Sequence, residues 1–148
     1  MTHRPRSPFR RAVLVSLALI CSVPALAAAQ SSEAEQLDQF LRGNHLLVSY
    51  REGGAVYGTY YVLQIHYCTS GQYFLYGESS KQTVLGNYQK GNWQEAGTWA
   101  GTTRQGQLGV QYQPQGQVPD FVPVRMLPDG GIWVGEGVSV IPQGRAQC

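Results

Sequence analysis

Apolar and polar residues alternate along most of the chain, which is the pattern of strands with one face turned toward a core. The segment Val56 to Tyr67 carries Leu63 and Ile65 on one face and Gln64 on the other, and Gln107 to Gln113 alternates in the same way. Further strands are predicted at His45 to Arg51, Gln72 to Glu78, Gln94 to Gly101, Phe121 to Leu127 and Gly131 to Val140. Seven or eight short strands with glycine-rich turns predict an all-β fold, a single antiparallel meander arranged as a barrel or a sandwich.

Two segments depart from this alternation. Within residues 30–43, serines and early acids precede apolar residues at helical spacing, which predicts one short amphipathic N-terminal helix. The β domain then covers residues 44–148. The stretch Ser79 to Gln94 has no strong period and is rich in Ser, Gly and Asn, so it is predicted to be a long exposed loop that carries a binding surface.

The first residues of the chain have the organisation of a secretory signal peptide. Four arginines and no acid precede an apolar run from Ala12 to Val23, and small residues follow. We therefore predict a cleavable signal peptide over residues 1–29, with cleavage after Ala29 or, alternatively, after Ala27. The predicted location is the periplasm or the exterior of a bacterium.

Two kinds of membrane attachment compete with this interpretation. The apolar run is shorter than the roughly 20 residues that a spanning helix needs, and Ser16, Ser22 and Pro24 interrupt it. A lipid anchor on Cys21 would need a small residue before the cysteine, where the chain has Ile20. The sequence therefore predicts no stable membrane anchor after cleavage.

Removal of the signal peptide changes the charge of the chain. All nine acids follow residue 29, whereas four of the eleven basic residues precede it, so the mature chain is slightly acidic. The remaining Lys and Arg residues are scattered singly. A nucleic-acid partner would call for a clustered basic face, so none is expected.

Two cysteines, Cys68 and Cys148, remain in an oxidising compartment, where disulfides persist. A bond between them would close most of the domain into one loop and stabilise it by about 4 kcal/mol in the chain-entropy model. Two free thiols, or an intermolecular bond through Cys148, are the alternatives.

Few residues suggest chemistry. His45 and His66 lie 21 positions apart with no metal-ligand spacing and are predicted to be solvated strand residues, so neither a metal nor another cofactor is expected. The serines and acids match no nucleophile signature, which argues against an enzyme. An enzyme with an unrecognised site remains an alternative, because paired carboxylates occur in glycoside hydrolases.

Aromatic residues are the most distinctive feature of the chain, which has nine tyrosines and three tryptophans. Neighbouring aromatics such as Tyr60 and Tyr61 point to opposite faces of a strand. Some of them must therefore face outward or into a cavity, where such rings bind ligands. Glu136 shares a phase with neighbouring valines, which would bury it, but a bulge at Gly135 or Gly137 that turns it to solvent is the favoured interpretation. The candidate binding residues are Tyr60, Phe74, Tyr76, Trp93 and Glu136.

One motif pattern gives a resemblance. A cysteine before a turn and an aromatic strand (Cys68 to Phe74), then Gly97-Thr98-Trp99, then Leu108 to Tyr112 resemble small secreted bacterial all-β proteins of unknown function and, in architecture, lipocalins. The lipocalin Gly-x-Trp lies on the first strand after the helix, whereas here it comes in mid-chain, and Gly91-Asn92-Trp93 matches equally. The resemblance therefore implies a β-barrel architecture and assigns no pocket residue.

The sequence favours a secreted or periplasmic, non-catalytic binding module that uses the tyrosine-rich strands and the exposed loop. Its ligand would be a small apolar molecule, a carbohydrate or a secreted protein. The alternative is an inhibitor or immunity protein that binds a secreted enzyme.

Overall fold

A computed structural model describes residues 33–54, 57–82 and 86–148. The predicted signal peptide, its cleavage sites and Cys21 lie outside these residues. One helix, α1, spans residues 33–41. The strands are β1 (Asn44–Glu52), β2 (Thr59–Tyr67), β3 (Gln72–Gln82), β4 (Tyr88–Arg104), β5 (Gln107–Pro114), β6 (Asp120–Pro123), β7 (Arg125–Met126), β8 (Ile132–Trp133) and β9 (Ser139–Arg145).

Seven strands form one antiparallel sheet in the order β6-β5-β4-β3-β2-β1-β9, and β7 pairs with β8 in a small second sheet. The predicted all-β meander with one short helix is confirmed. The sheet is not a closed barrel, because β6 and β9 remain its two edges and do not pair with each other. It nevertheless curves strongly, since Val122 of one edge strand and Val140 of the other line the same cavity.

The strands alternate in direction, so the sheet has two ends of different character. One end holds α1, the β2–β3 and β4–β5 turns and residues 146–148, and we call it the closed end. The open end holds the turns after β1, β3 and β5 and the turn before β9. Among the described residues, no helix is long and apolar enough to cross a membrane.

At the closed end, α1 packs against the inner face of the sheet. Leu37 and Leu41 are fully buried and join Leu46, Trp99 and Val110 in the core. The helix can approach this closely because β4 has a glycine there. A Cβ on Gly101 would lie 3.0 Å from the Ala34 carbonyl oxygen of α1 and 3.1 Å from the Asp38 backbone nitrogen.

Arg42 joins the end of α1 to the closed end of the sheet. Its guanidinium donates to Asp38 Oδ2 at 2.6 Å and to the Thr69 carbonyl at 2.6 Å, and it lies 5.5 Å from the centre of the Trp99 ring. Cys68, before the β2–β3 turn, forms the predicted disulfide with Cys148. The bond attaches the last residue of the chain to the closed end.

The predicted long loop at Ser79 to Gln94 is wrong. β3 continues to Gln82 and β4 begins at Tyr88, with Ser79 paired to Gly91 and Gln82 to Tyr88. Most side chains of this hairpin are solvent-exposed on both faces. No apolar alternation is therefore needed there, and its absence does not indicate a loop.

The predicted continuous strand from Gly131 to Val140 is also wrong. β8 ends at Trp133 and β9 begins at Ser139, and residues 135–137 form a turn between them. Gly137 takes a φ of +72° in this turn, a conformation that favours glycine. The predicted strand from Phe121 to Leu127 is likewise divided into β6 and β7.

Candidate functional site

The inner face of the sheet surrounds a cavity of about 520 Å³. Its walls come from six consecutive strands of the meander, from β9 and from the segment around β8, so the whole domain contributes to it. Most of the lining is aliphatic: Leu46, Val48, Leu63, Ile65, Leu75, Val110, Val122, Val124, Ile132, Val134, Val138 and Val140. The volume and the apolar lining are typical of small-molecule sites.

The cavity reaches the surface at the open end. Its lining there includes Val118, which is 83% exposed, together with Gln117 and Glu52. At the other end, α1 and the core residues around Trp99 fill the space inside the sheet. A ligand would therefore enter from the open end.

Two hydrogen-bonded pairs bring polar groups to the cavity, which Tyr67, Tyr112 and Glu95 line, whereas Tyr73 is fully buried and is not part of the lining. The Tyr73 hydroxyl donates to Glu95 Oε1, and the Tyr67 and Tyr112 hydroxyls bond each other. The rings of Tyr73 and Tyr112 meet edge to face at 5.1 Å, which connects the two pairs. These groups give the apolar cavity a polar region at one place on its wall.

The phenols in this region stay neutral over a wide pH range. Burial is the main cause that raises the pKa of Tyr67, Tyr73 and Tyr112 well above the ordinary value of a tyrosine. The nearby carboxylates of Glu95 and Asp120 raise the pKa of Tyr73 and Tyr112 further, because a phenolate beside them would be repelled. Each hydroxyl therefore serves as a hydrogen-bonding group and not as a base.

One ring on the cavity wall, that of Tyr50, belongs to a cluster of aromatic residues. Tyr50 stacks on Tyr61 with ring centres 4.9 Å apart, and Trp93 meets Tyr61 edge to face at 6.2 Å. The indole of Trp93 lies flat over Gly77, where an added Cβ would come within 2.2 Å of the ring. Gly77 therefore makes room for Trp93.

The candidate residues predicted from the sequence do not come together in one site. Tyr60, Phe74 and Tyr76 lie on the outer face of the sheet, with Tyr60 in a groove beside the β3–β4 hairpin and the other two around a shallow depression. Trp93 is in phase with the inner face near the open end. Glu136 is exposed in the turn before β9.

Sequence reasoning missed the inner group of Tyr67, Tyr73, Glu95 and Tyr112. The alternation does put Tyr67 in phase with Leu63 and Ile65, and Tyr112 with Val110. Only the strand register brings Tyr67, Tyr112 and Glu95 to one cavity, since their strands are separated along the chain.

The prediction of solvated histidines is wrong for His66. It is only 6% exposed, and it is the cross-strand partner of His45, with the two rings stacked at 4.0 Å. Burial, followed by the neighbouring His45, lowers the pKa of His66. Its Nδ1 accepts a hydrogen bond from the Gln147 backbone N–H at 3.2 Å, because the disulfide holds the C-terminal residues against this side of β2.

Metal chemistry has no candidate centre in the described part of the chain, where no three His, Cys, Asp or Glu side chains gather around a common point. No family model, no curated protein and no solved structure matches this chain. The functional proposal therefore rests on the geometry of the cavity.

Proposed function

We propose that this protein is an exported, non-catalytic binding protein that holds a small apolar molecule inside its curved sheet. The observation that carries the proposal is the cavity of about 520 Å³ with its aliphatic walls and its opening at one end. A core formed only for stability would be close-packed, with few voids larger than a water molecule. Export is supported by the predicted signal peptide and by the Cys68–Cys148 disulfide, because disulfides persist in oxidising compartments.

The absence of a nucleophile or metal motif in the sequence favours binding over catalysis. The polar groups of the cavity wall include the Tyr67 and Tyr112 hydroxyls, which bond each other, and Glu95, which accepts the Tyr73 hydroxyl. They suit the recognition of one polar group on an otherwise apolar ligand.

The proposal can be tested by filling the cavity. Leu63 lines it, whereas its neighbour Val62 lies on the opposite face of β2. We expect the mature protein to bind the neutral apolar dye Nile red, and the Leu63→Trp variant to bind it at least about tenfold more weakly, because the indole would occupy the space. Dye fluorescence measures the affinity, and circular dichroism checks the fold.

The matched control is Val62→Trp, which adds the same bulk on the outer face and should leave the dye affinity unchanged. A Tyr60→Ala, Tyr76→Ala double variant should also keep its affinity. Equal binding by Leu63→Trp and the wild type would contradict the proposal. Loss of binding in the double variant alone would place the site on the outer face.

The inhibitor alternative has one observation in its favour. The β3–β4 hairpin extends at the open end, and Tyr88 on it is 64% exposed. Large exposed aromatics are common anchors in protein interfaces. Native mass spectrometry of the protein from culture fluid separates the two functions: a co-purifying small molecule favours the cavity, and a stoichiometric protein favours the hairpin.

A further inference from the structure

The charged residues that line the cavity are all acids: Glu52, Glu95 and Asp120. No Lys, Arg or His of the described ranges is part of the lining. A ligand that carries a carboxylate or phosphate would therefore meet like charges with no counter-charge. Glu95 is half-buried, so its repulsion of an anion is screened less by water than that of Glu52 and Asp120, which are solvent-exposed.

Glu95 is the best placed of the three acids to hold a ligand group. It is half-buried in the middle of β4, opposite Leu75, and its Oε1 accepts the Tyr73 hydroxyl. Within the described residues its other oxygen, Oε2, has no hydrogen-bond partner. A carboxylate accepts several hydrogen bonds, so this oxygen is available to a donor on a ligand.

Asp120 lies near the same group of phenols. It pairs with Tyr112 in the register of β5 and β6, while Tyr112 contacts Tyr73, the partner of Glu95. The charges of Glu95 and Asp120 both act on Tyr73 and Tyr112, raising the pKa of each phenol. Glu95 on β4 and Asp120 on β6 therefore lie on the two strands that flank β5, the strand of Tyr112.

Aromatic faces add to this preference for positive charge. Tyr67 and Tyr112 border the polar region, and the stacked pair of Tyr50 and Tyr61 lies near the entrance, where Glu52 also lines the cavity. The face of an aromatic ring attracts a cation, and proteins use aromatic rings to recognise ammonium groups.

Resting on the proposed function, we infer that the ligand is an apolar molecule that carries one positively charged amine. The amine lies between Glu95 and Asp120 beside Tyr112, and the apolar part lies against the aliphatic wall. Glu52 at the entrance attracts the cation before it enters. The same carboxylates, and Glu95 most because it is half-buried, weaken the binding of fatty acids and other apolar anions.

The test uses three probes with the same ten-carbon chain, decylamine, decanol and decanoate, each displacing Nile red from the mature protein at neutral pH. We expect decylamine to bind about tenfold or more tightly than decanol, and decanoate to bind most weakly. Decanol or decanoate binding as tightly as decylamine would overturn the inference while leaving the proposed function intact. If neither Nile red nor any probe binds to folded protein, the proposed function itself fails.

Variants locate the selectivity. Glu95→Gln keeps an acceptor for the Tyr73 hydroxyl and removes the charge, and Asp120→Asn does the same on the neighbouring strand. We expect each to bring the affinities for decylamine and decanol several-fold closer together and to leave the decanol affinity nearly unchanged. The control is Glu78→Gln, an exposed acid on the outer face of β3. Equal loss of selectivity in this control, or no loss in Glu95→Gln, would contradict the placement of the amine.

Discussion

The closed and open ends of the same sheet differ in how much of their surface is buried. At the closed end, Leu37 and Leu41 are fully buried and a disulfide fixes the chain terminus. At the open end, Tyr88 and Val118 are largely exposed and most side chains of the β3–β4 hairpin face water. The difference teaches that stability and binding are separated in space: one end holds the sheet together, and the other leaves the cavity accessible.

This separation has a physical reason. A site that admits an apolar ligand must leave apolar surface unpaired in the free protein, which forgoes part of the burial that stabilises a fold. The closed end offsets this loss with α1 and with the covalent link between Cys68 and Cys148. The comparison therefore predicts that substitutions at the closed end cost more stability than equivalent substitutions at the open end.

Removal of the disulfide is expected to have the largest effect. The bond closes a loop with a sequence separation of 80 residues, and the chain-entropy model gives a stabilisation of about 4 kcal/mol for such a loop. A Cys68→Ser, Cys148→Ser double variant should lose about that much free energy of unfolding, measured by urea denaturation. A loss below about 1 kcal/mol would show that the closed end does not depend on this link.

Truncation of the helix core should have the next largest effect. Leu41 is fully buried between α1 and the sheet, so Leu41→Ala should lower the free energy of unfolding by about 3 kcal/mol. The open-end control is Val118→Ala, where an 83% exposed side chain should change it by about 0.5 kcal/mol or less. Similar losses in the two variants would remove the distinction between the ends.

The sequence predicted the closed end better than the open end, because burial leaves a periodic signal. The spacing of Leu37 and Leu41 predicts α1, and the alternation of Leu63 and Ile65 predicts the inner face of β2. The β3–β4 hairpin has water on both faces, so its polar residues carry no period and the sequence predicts a loop there. Composition cannot distinguish a solvated hairpin from a loop.

The site was less predictable than the fold, because it depends on which strands are neighbours. Glu95 and Asp120 carry no local motif, and they share a cavity only through the order of β4, β5 and β6. The phase of Glu136 with its neighbouring valines indicates burial, but the favoured interpretation, a glycine beside it that turns it to solvent, agrees with the turn around Gly137 and its exposed side chain. Turn geometry at glycines is set by the surrounding structure as much as by the local sequence.

The smallest expected effect concerns the histidine pair beside the C-terminal residues. Because burial and His45 lower the pKa of folded His66, the unfolded chain binds a proton first as the pH falls through about 6.5, the ordinary pKa of histidine. The unfolded state then holds more protons than the folded state. The free energy of unfolding should therefore decrease as the pH falls from about 7 toward about 5, through the ordinary pKa of histidine. This loss of free energy of unfolding levels off below the pKa that His66 has in the folded protein.

Variants of the pair test this origin of the pH dependence. His66→Gln keeps an acceptor for the Gln147 backbone N–H and has no titrating group, so its urea denaturation should be less sensitive to pH over this interval than that of the wild type. His45→Gln removes only the neighbouring charge, the smaller of the two causes, and should give an intermediate slope. Parallel pH profiles in the wild type and His66→Gln would mean that the acid sensitivity of the closed end arises from groups other than this pair.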